Sequence, residues 1–358
     1  MTTAVAATGS GTFARGIHPP ERKRFASGVP IEVIPAADQV SIPLLQHTGA
    51  PNEPTVKTRD EVKLGDVVGA SEAFVSAPVH ASINGKASKV SATTLPNGRH
   101  VSTLPIKGGD EQISAEALWD DVFGGEWAVD AESLDPKQIL QAVREAGVVG
   151  LGGAAFPTAV KLSPPPEKNI DTLIINGCEC EPYLTADSRV MLEAPQPVVA
   201  GALIATRAAG ADRTIIAIED NKPDAIRAMR EAAKGTAAEV VVVKTKYPMG
   251  GEKQLIPAVL KREVPTGGLP LDVGVVVMNV GTSAAVARAV LRGKPLTHRV
   301  VTISGAGIKQ PKNLLVPIGM KYSELIEYCG GLTDDAARLI SGGPMMGFAL
   351  GESEAVVT

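Results

Sequence analysis

From Ile31 to about Val101 the apolar positions come in short runs: Ile31-Glu32-Val33-Ile34, Ser41-Ile42-Pro43-Leu44, Asp66-Val67-Val68 and Ala87-Ser88-Lys89-Val90. Each is cut after a few residues by Gly, Pro, Asn or Asp, the pattern of short strands. Asn84-Gly85 predicts a tight turn, because both residues tolerate positive φ. From Asp135 the period changes. Asp135 as cap, Pro136 in the first turn and Gln138 able to reach back predict a helix start. Ile139, Leu140, Val143 and Ala146 then share one face, and Gly147 ends the helix. Apolar runs at Thr172–Ile175, Thr214–Ile218, Glu239–Val243 and Val273–Met278 predict buried strands. Helical stretches at Pro197–Ala209, Pro223–Lys234 and Lys253–Lys261 separate several of them, so the middle of the chain is α/β with a mostly parallel sheet. Beyond Arg299, the runs Val300–Ile303 and Asn313–Gly319 and a helix Tyr322–Cys329 closed by Gly330-Gly331 predict a compact β-rich module. Residues 1–28, with Pro19-Pro20, read as an extended arm, and Trp119–Glu132 as an acidic linker.

Composition narrows the classes. The 358 residues suit two or three domains, since single cores stop growing at roughly 250–300 residues. Hydrophobic residues make up 44% and aromatics only 3%, so the cores are aliphatic. Lys and Arg number 35 against 39 Asp and Glu, leaving no basic excess to neutralise nucleic-acid phosphates. Nucleic acid is therefore excluded as a partner. Cys178, Cys180 and Cys329 are too few for a disulfide framework or a four-thiolate cluster and suit a reducing compartment. No run approaches the roughly 20 apolar residues that span a bilayer, and Met1–Arg15 lacks the pattern of a secretory signal.

The densest chemical signal is Gly147-Val148-Val149-Gly150-Leu151-Gly152-Gly153-Ala154-Ala155-Phe156-Pro157-Thr158-Ala159-Val160-Lys161. A backbone without side chains approaches a ligand closely, and successive free N–H groups cradle an anion. Pro157 can start a helix whose amino end favours phosphate, and Lys161 adds a cation. Glycines also make interdomain turns, and the run matches neither a Walker loop nor G-x-G-x-x-G. Asn176, Glu179 and Glu181 lie just past a buried strand. Tyr247-Pro248-Met249-Gly250-Gly251-Glu252 and Met278-Asn279-Val280-Gly281-Thr282 follow two others. These four connections share the carboxyl edge of one sheet, where α/β proteins bind ligands. Cys178-x-Cys180 has no nearby His, so no metal site is expected. The five scattered histidines and the lack of Gly-x-Ser-x-Gly disfavour a hydrolase.

Val62–Gly69, Ser76-Ala77-Pro78 and Asn84-Gly85-Lys86 resemble the barrel-sandwich hybrid of biotinyl and lipoyl domains. With no lysine between Lys63 and Lys86 to carry a cofactor, the reading is a structural module. The motifs Gly150-x-Gly152-Gly153-Ala154-x-Phe156-Pro157-Thr158-x-x-Lys161, Asn176-x-x-Glu179-x-Glu181-Pro182, Gly251-Glu252 and Asn279-Val280-x-Thr282 resemble the flavin- and NADH-binding subunit of complex I. Gly16–Pro20, Gln46–Pro51, Tyr247–Glu252 and Gly342-Gly343-Pro344-Met345-Met346-Gly347 bring the chain closer to the RnfC family, from about 13 to 350. Leu151, Leu162 and Lys253 depart from the complex I pattern.

The resemblance implies a barrel-sandwich hybrid over 29–115, a Rossmann-like FMN/NADH-binding domain over 130–298 and a β-grasp module of the soluble-ligand-binding type over 299–350. It implies FMN held by Gly150, Gly152, Gly153, Lys161, Asn176, Glu179, Tyr247, Gly251, Glu252, Asn279 and Thr282, and NADH met by Ala154, Phe156 and Glu181. The implied activity is hydride exchange between NAD(H) and FMN, in a peripheral subunit on the cytoplasmic face of the inner membrane. Its partners would be the other subunits of the ion-translocating Rnf complex and, through them, ferredoxin. The family continues into a domain with two [4Fe-4S] clusters, whose cysteine runs are not in these residues, so the sequence reads as a partial chain. A cobalamin-reducing relative and a non-catalytic docking subunit are the alternative readings.

Overall fold

The computed structural model describes residues 9–351 and 353–358; the first eight residues of the expected arm lie outside the described residues. At its centre is a four-stranded parallel sheet in the order Ala238–Val243, Arg213–Glu219, Thr172–Gly177, Val275–Asn279. Its strands are mostly apolar in their middles because both faces are covered. Leu173, Ile175, Ile216, Ile218, Val276 and Met278 pack with helices Pro136–Glu145, Pro195–Ala209 and Val280–Arg292 on one side. Ile174, Ile215, Val275 and Val277 alternate with them and meet helix Glu252–Leu260 on the other. Asp135 caps its helix by accepting from the Lys137 amide, and Gly147 adopts φ +63° beyond the end.

The amino-terminal module is two small sheets. One joins Gln39–Pro43, His100–Gly108, Gly85–Ala87 and Glu61–Val62, with Ser91–Thr94 beside the long strand; the other joins Glu53–Pro54, Val67–Ala70 and Val79–His80. In the carboxyl-terminal module, His298–Ile303 runs antiparallel to Lys312–Pro317, followed by helix Tyr322–Tyr328 and a hairpin of Leu339–Ser341 with Phe348–Leu350. These two modules share a core, in which Val40, Ile42 and Leu104 pack with Leu314, Val316 and Leu325.

Several local expectations change. Ile31–Val33 belongs to the carboxyl-terminal module, where it pairs in parallel with Asn313–Leu315; a short apolar run carries no label for its partner. Ala87–Val90 is not one strand, since Gly85–Ala87 ends and Ser91–Thr94 begins after a break. Gly85 lies in that strand without positive φ, and a Cβ there would fall 2.0 Å from the Lys107 carbonyl oxygen. Close strand approach, not a tight turn, therefore requires the glycine. The expected linker is structured: helix Ala115–Val122 is capped by Ser114, and Leu118, Val122 and Trp127 are buried. The arm is docked, and it is not extended throughout, since Lys23–Phe25 form a 3-10 turn. Gly9 and Gly11 amides bond carbonyls of Val259 and Ala258, and Ile17 and Tyr247 exchange two backbone hydrogen bonds of 3.0 and 2.8 Å.

Candidate functional site

Strand order places two of the candidate residues together. The chain builds outward from Thr172–Gly177 to Ala238–Val243, then returns to the opposite side at Val275–Asn279. That reversal opens a crevice at the carboxyl ends of the two adjoining strands. Asn176 and Asn279 are register partners at its lip. Asn279 Oδ1 accepts from the amides of Gly281 at 2.8 Å and Thr282 at 3.3 Å, capping helix Val280–Arg292. Its Nδ2 donates to Asp187 at 2.7 Å. Asn176 Nδ2 donates to the Gly250 carbonyl at 2.8 Å, tying the second loop to the third.

The glycine loop reaches the same lip. Val149 bridges Pro157, and the Gly150 amide donates to the Phe156 carbonyl at 3.0 Å, closing residues 151–155 into a loop. The Leu151 amide donates to the Thr282 hydroxyl at 2.9 Å. Arg299 donates to the Leu151 carbonyl at 2.9 Å, and the Thr48 hydroxyl to that of Ala154 at 2.8 Å. A Cβ on Gly152 would lie 2.6 Å from Asn279 Nδ2, so only glycine lets the loop rest there. Gly152, Gly153 and Ala154 remain exposed.

Pro157 does not open the expected anion-binding helix. Thr158–Lys161 is a single turn, and the Thr158 amide is already bonded to the Val148 carbonyl at 2.9 Å. Lys161 pairs with Glu252 at 2.6 Å. A cleft of about 1540 Å3 runs along the four loops. Gly152, Gly153, Ala154, Asn176, Glu179, Glu181, Tyr247, Gly251 and Asn279 line it; Gly150, Phe156, Lys161, Glu252 and Thr282 do not.

The carboxyl groups of the cleft are held in low-dielectric surroundings. Glu179, at φ +48°, accepts from the Asp187 amide at 2.6 Å through Oε1, while its buried Oε2 has no hydrogen-bond partner. Burial pushes its carboxyl up to about 7, against the pull of Lys23, whose Nζ lies 3.8 Å away. Burial likewise raises Asp187, with Asn279 opposing. Glu181 is raised by burial and opposed by the Met345 and Met346 amides; Oε2 accepts from Met345 at 3.1 Å, and the buried Oε1 has no hydrogen-bond partner. Among the described residues, no group of three or more His, Cys, Asp or Glu side chains could hold a metal ion. Burial raises both the Cys178 and Cys180 thiols.

Four residues escaped the sequence reading. Asp187 sits on helix Ala186–Glu193, which was not expected, although an acid ahead of Val190-Met191 could have flagged its first turn. Thr48 lies inside the Gln46–Pro51 motif, whose role no local pattern reveals. Arg299 is a single cation brought in from another module, and Lys23 lies in the run Arg22-Lys23-Arg24, where nothing local sets it apart from its neighbours.

The family model described as the Nuo51 FMN-binding domain matches residues 143–288, the RnfC barrel sandwich hybrid domain 11–111 and the SLBB domain 300–349. The chain is 47% identical to the C subunit of the proton-translocating ferredoxin:NAD(+) oxidoreductase complex of Clostridium ljungdahlii, over 94% of this chain and 72% of that protein. It is 44% identical to the Na(+)-translocating counterpart of Acetobacterium woodii, over 94% and 75%. The chain belongs to the RnfC family. The Rhodobacter capsulatus member, from an ion-translocating oxidoreductase complex, is 42% identical, with 64% of its length covered. Among solved structures, a chain of an NAD+-reducing [NiFe]-hydrogenase superposes with TM-score 0.51 at 26% identity, over 68% of this chain and 48% of its own.

Proposed function

We propose that this chain is the flavin-bearing, NAD(H)-reacting subunit of an ion-translocating ferredoxin:NAD(+) oxidoreductase complex. The supporting observation is the meeting of four separate loops on one cleft, with Gly152 against Asn279, Asn176 bonded to Gly250, and Glu179 held beside Asp187. The cleft fits FMN in kind: exposed amides of Gly152 to Ala154 suit a phosphate, while Asn176, Asn279 and the unpartnered carboxyl oxygens of Glu179 and Glu181 suit a ring edge and hydroxyl groups. Bound FMN would supply hydride acceptance from, or donation to, a nicotinamide, followed by single-electron exchange. The protein's part is to hold and orient, to exclude water and to place a proton-carrying carboxyl, Glu179, beside the cofactor. Ala154 lines the cleft and would meet the dinucleotide there, whereas Phe156 does not line it. Lys161 pairs with Glu252 and, like it, does not line the cleft.

Attachment to the membrane complex would run through other subunits, on the cytoplasmic face; no helix among the described residues is long and apolar enough to cross a membrane. The two [4Fe-4S] clusters would lie outside these residues. FMN should raise the melting temperature in a concentration-dependent way, and Glu179→Gln should abolish NADH oxidation while leaving complex assembly intact. Assembly unchanged, with no FMN effect on melting, would favour a docking subunit.

A further inference from the structure

We propose that Lys23, in the amino-terminal arm, is a positioning residue of this site, holding the Glu179–Leu184 loop in its working shape and placing a positive charge beside the Glu179 carboxyl. The inference rests on the flavin reading above. Lys23 crosses to the middle domain, where its Nζ donates to the carbonyls of Glu179 at 2.8 Å, Glu181 at 3.0 Å and Leu184 at 2.5 Å. An ammonium has three N–H donors, and all are used on consecutive turns of one loop. The side chain is only 12% exposed and that of Glu179 4%, so neither is screened by solvent. The rest of the arm reinforces the grip. The Tyr183 amide donates to the Glu21 carbonyl at 2.8 Å, and the Phe25 ring stacks on Tyr183 at 5.9 Å.

A neutral donor could hold carbonyls; the charge answers a second need. The groups facing Glu179 are Lys23 from the arm, Asp187 from the following helix and Lys222 from the turn after Arg213–Glu219. Lys222 is occupied by Glu219 at 3.0 Å, the Cys178 carbonyl at 2.5 Å and Asn221 at 2.8 Å. Of the two cations, Lys23 has the larger effect on Glu179, and Lys222, bonded to Glu219, the smaller. Remove its charge and Glu179 binds its proton more tightly, because burial and Asp187 both disfavour the carboxylate.

The test is the pH dependence of kcat/KM for NADH in the FMN-loaded full chain, with an artificial electron acceptor, in wild type, Lys23→Met and Lys23→Arg. The near-neutral midpoint should rise by about one pH unit in Lys23→Met, as loss of an opposite charge at this range implies. Lys23→Arg should retain the wild-type midpoint. Should Lys23→Met fail to fold, Lys23→Gln keeps donors without the charge and should show the same rise. A folded neutral variant with the wild-type midpoint overturns the inference, as does an equal rise in Lys23→Arg. A wild type that neither binds FMN nor oxidises NADH overturns the functional reading instead, and the inference with it.

Discussion

At the scale of single residues, Asn279 ties three parts of the site together. It caps a helix, satisfies a buried carboxylate and leaves room only for glycine at 152. Asn279→Ala removes a cap worth about 1 kcal/mol and strips Asp187 of a donor, costing about 1–3 kcal/mol more. A denaturant melt should show that loss, and a fluorescence titration should show FMN binding weakened at least about tenfold, a margin of 1.4 kcal/mol. Unchanged FMN affinity would separate the lip from the cofactor. Glu179 gives a pH-dependent sign. Its folded value of about 7 lies above the ordinary carboxyl range, so the stability it contributes is complete below that ordinary value and is lost as pH rises through about 7. Glutamine mimics the protonated form. The cofactor-free Glu179→Gln protein should therefore melt higher than wild type at pH 8.5, with the difference gone by pH 5.

Among elements, the hairpin Leu339–Ser341/Phe348–Leu350 shows why one motif has its composition. Gly343 sits at φ +93°, and a Cβ there would lie 2.3 Å from Glu181 Oε2. The turn can rest on the carboxylate only with glycine at that position. Gly343→Ala should cost about 1–3 kcal/mol from the backbone conformation alone and raise KM for NADH more than it lowers kcat, measured by steady-state kinetics. An unchanged KM would detach the hairpin from the dinucleotide side. The parallel strands were legible because each holds a short apolar run rich in Val and Ile, bounded by helical periodicity, as at Thr172–Gly177 and Val275–Asn279. Helix Ala186–Glu193 was not: it follows a proline-containing loop, spans barely two turns, and puts its polar Asp187–Arg189 and apolar Val190–Leu192 in two blocks rather than at helical spacing. Ile31–Val33 was legible as a strand, but its sheet was not, because pairing across some 280 residues leaves no local trace.

Over the whole molecule, the modules are interlocked rather than strung together. The Asn313 side chain, fully buried, donates to Ala26 and Val29 carbonyls at 2.9 Å each and accepts from Thr185 and Thr302 at 2.7 and 2.9 Å, joining arm, middle domain and carboxyl-terminal module. Since the barrel-sandwich and SLBB modules also share a core, calorimetry should show them melting in one transition; two separable transitions would contradict that packing. Three of the loops that carry the site were legible in sequence because glycine and amide residues fall at strand ends, and the fourth because its glycines cluster after helix Pro136–Glu145. Their cross-braces, Lys23, Thr48, Asp187 and Arg299, were hidden because each is supplied by a different element, so only the folded chain reveals that they touch. The account stands or falls on whether the braced cleft holds a flavin that reacts with NADH. The direct measurement is the visible absorbance of the FMN-reconstituted protein, without oxygen, before and after NADH. The prediction is a protein-retained flavin spectrum that bleaches on NADH addition; a folded protein that retains no FMN, or a bound flavin that NADH leaves unchanged, would contradict it.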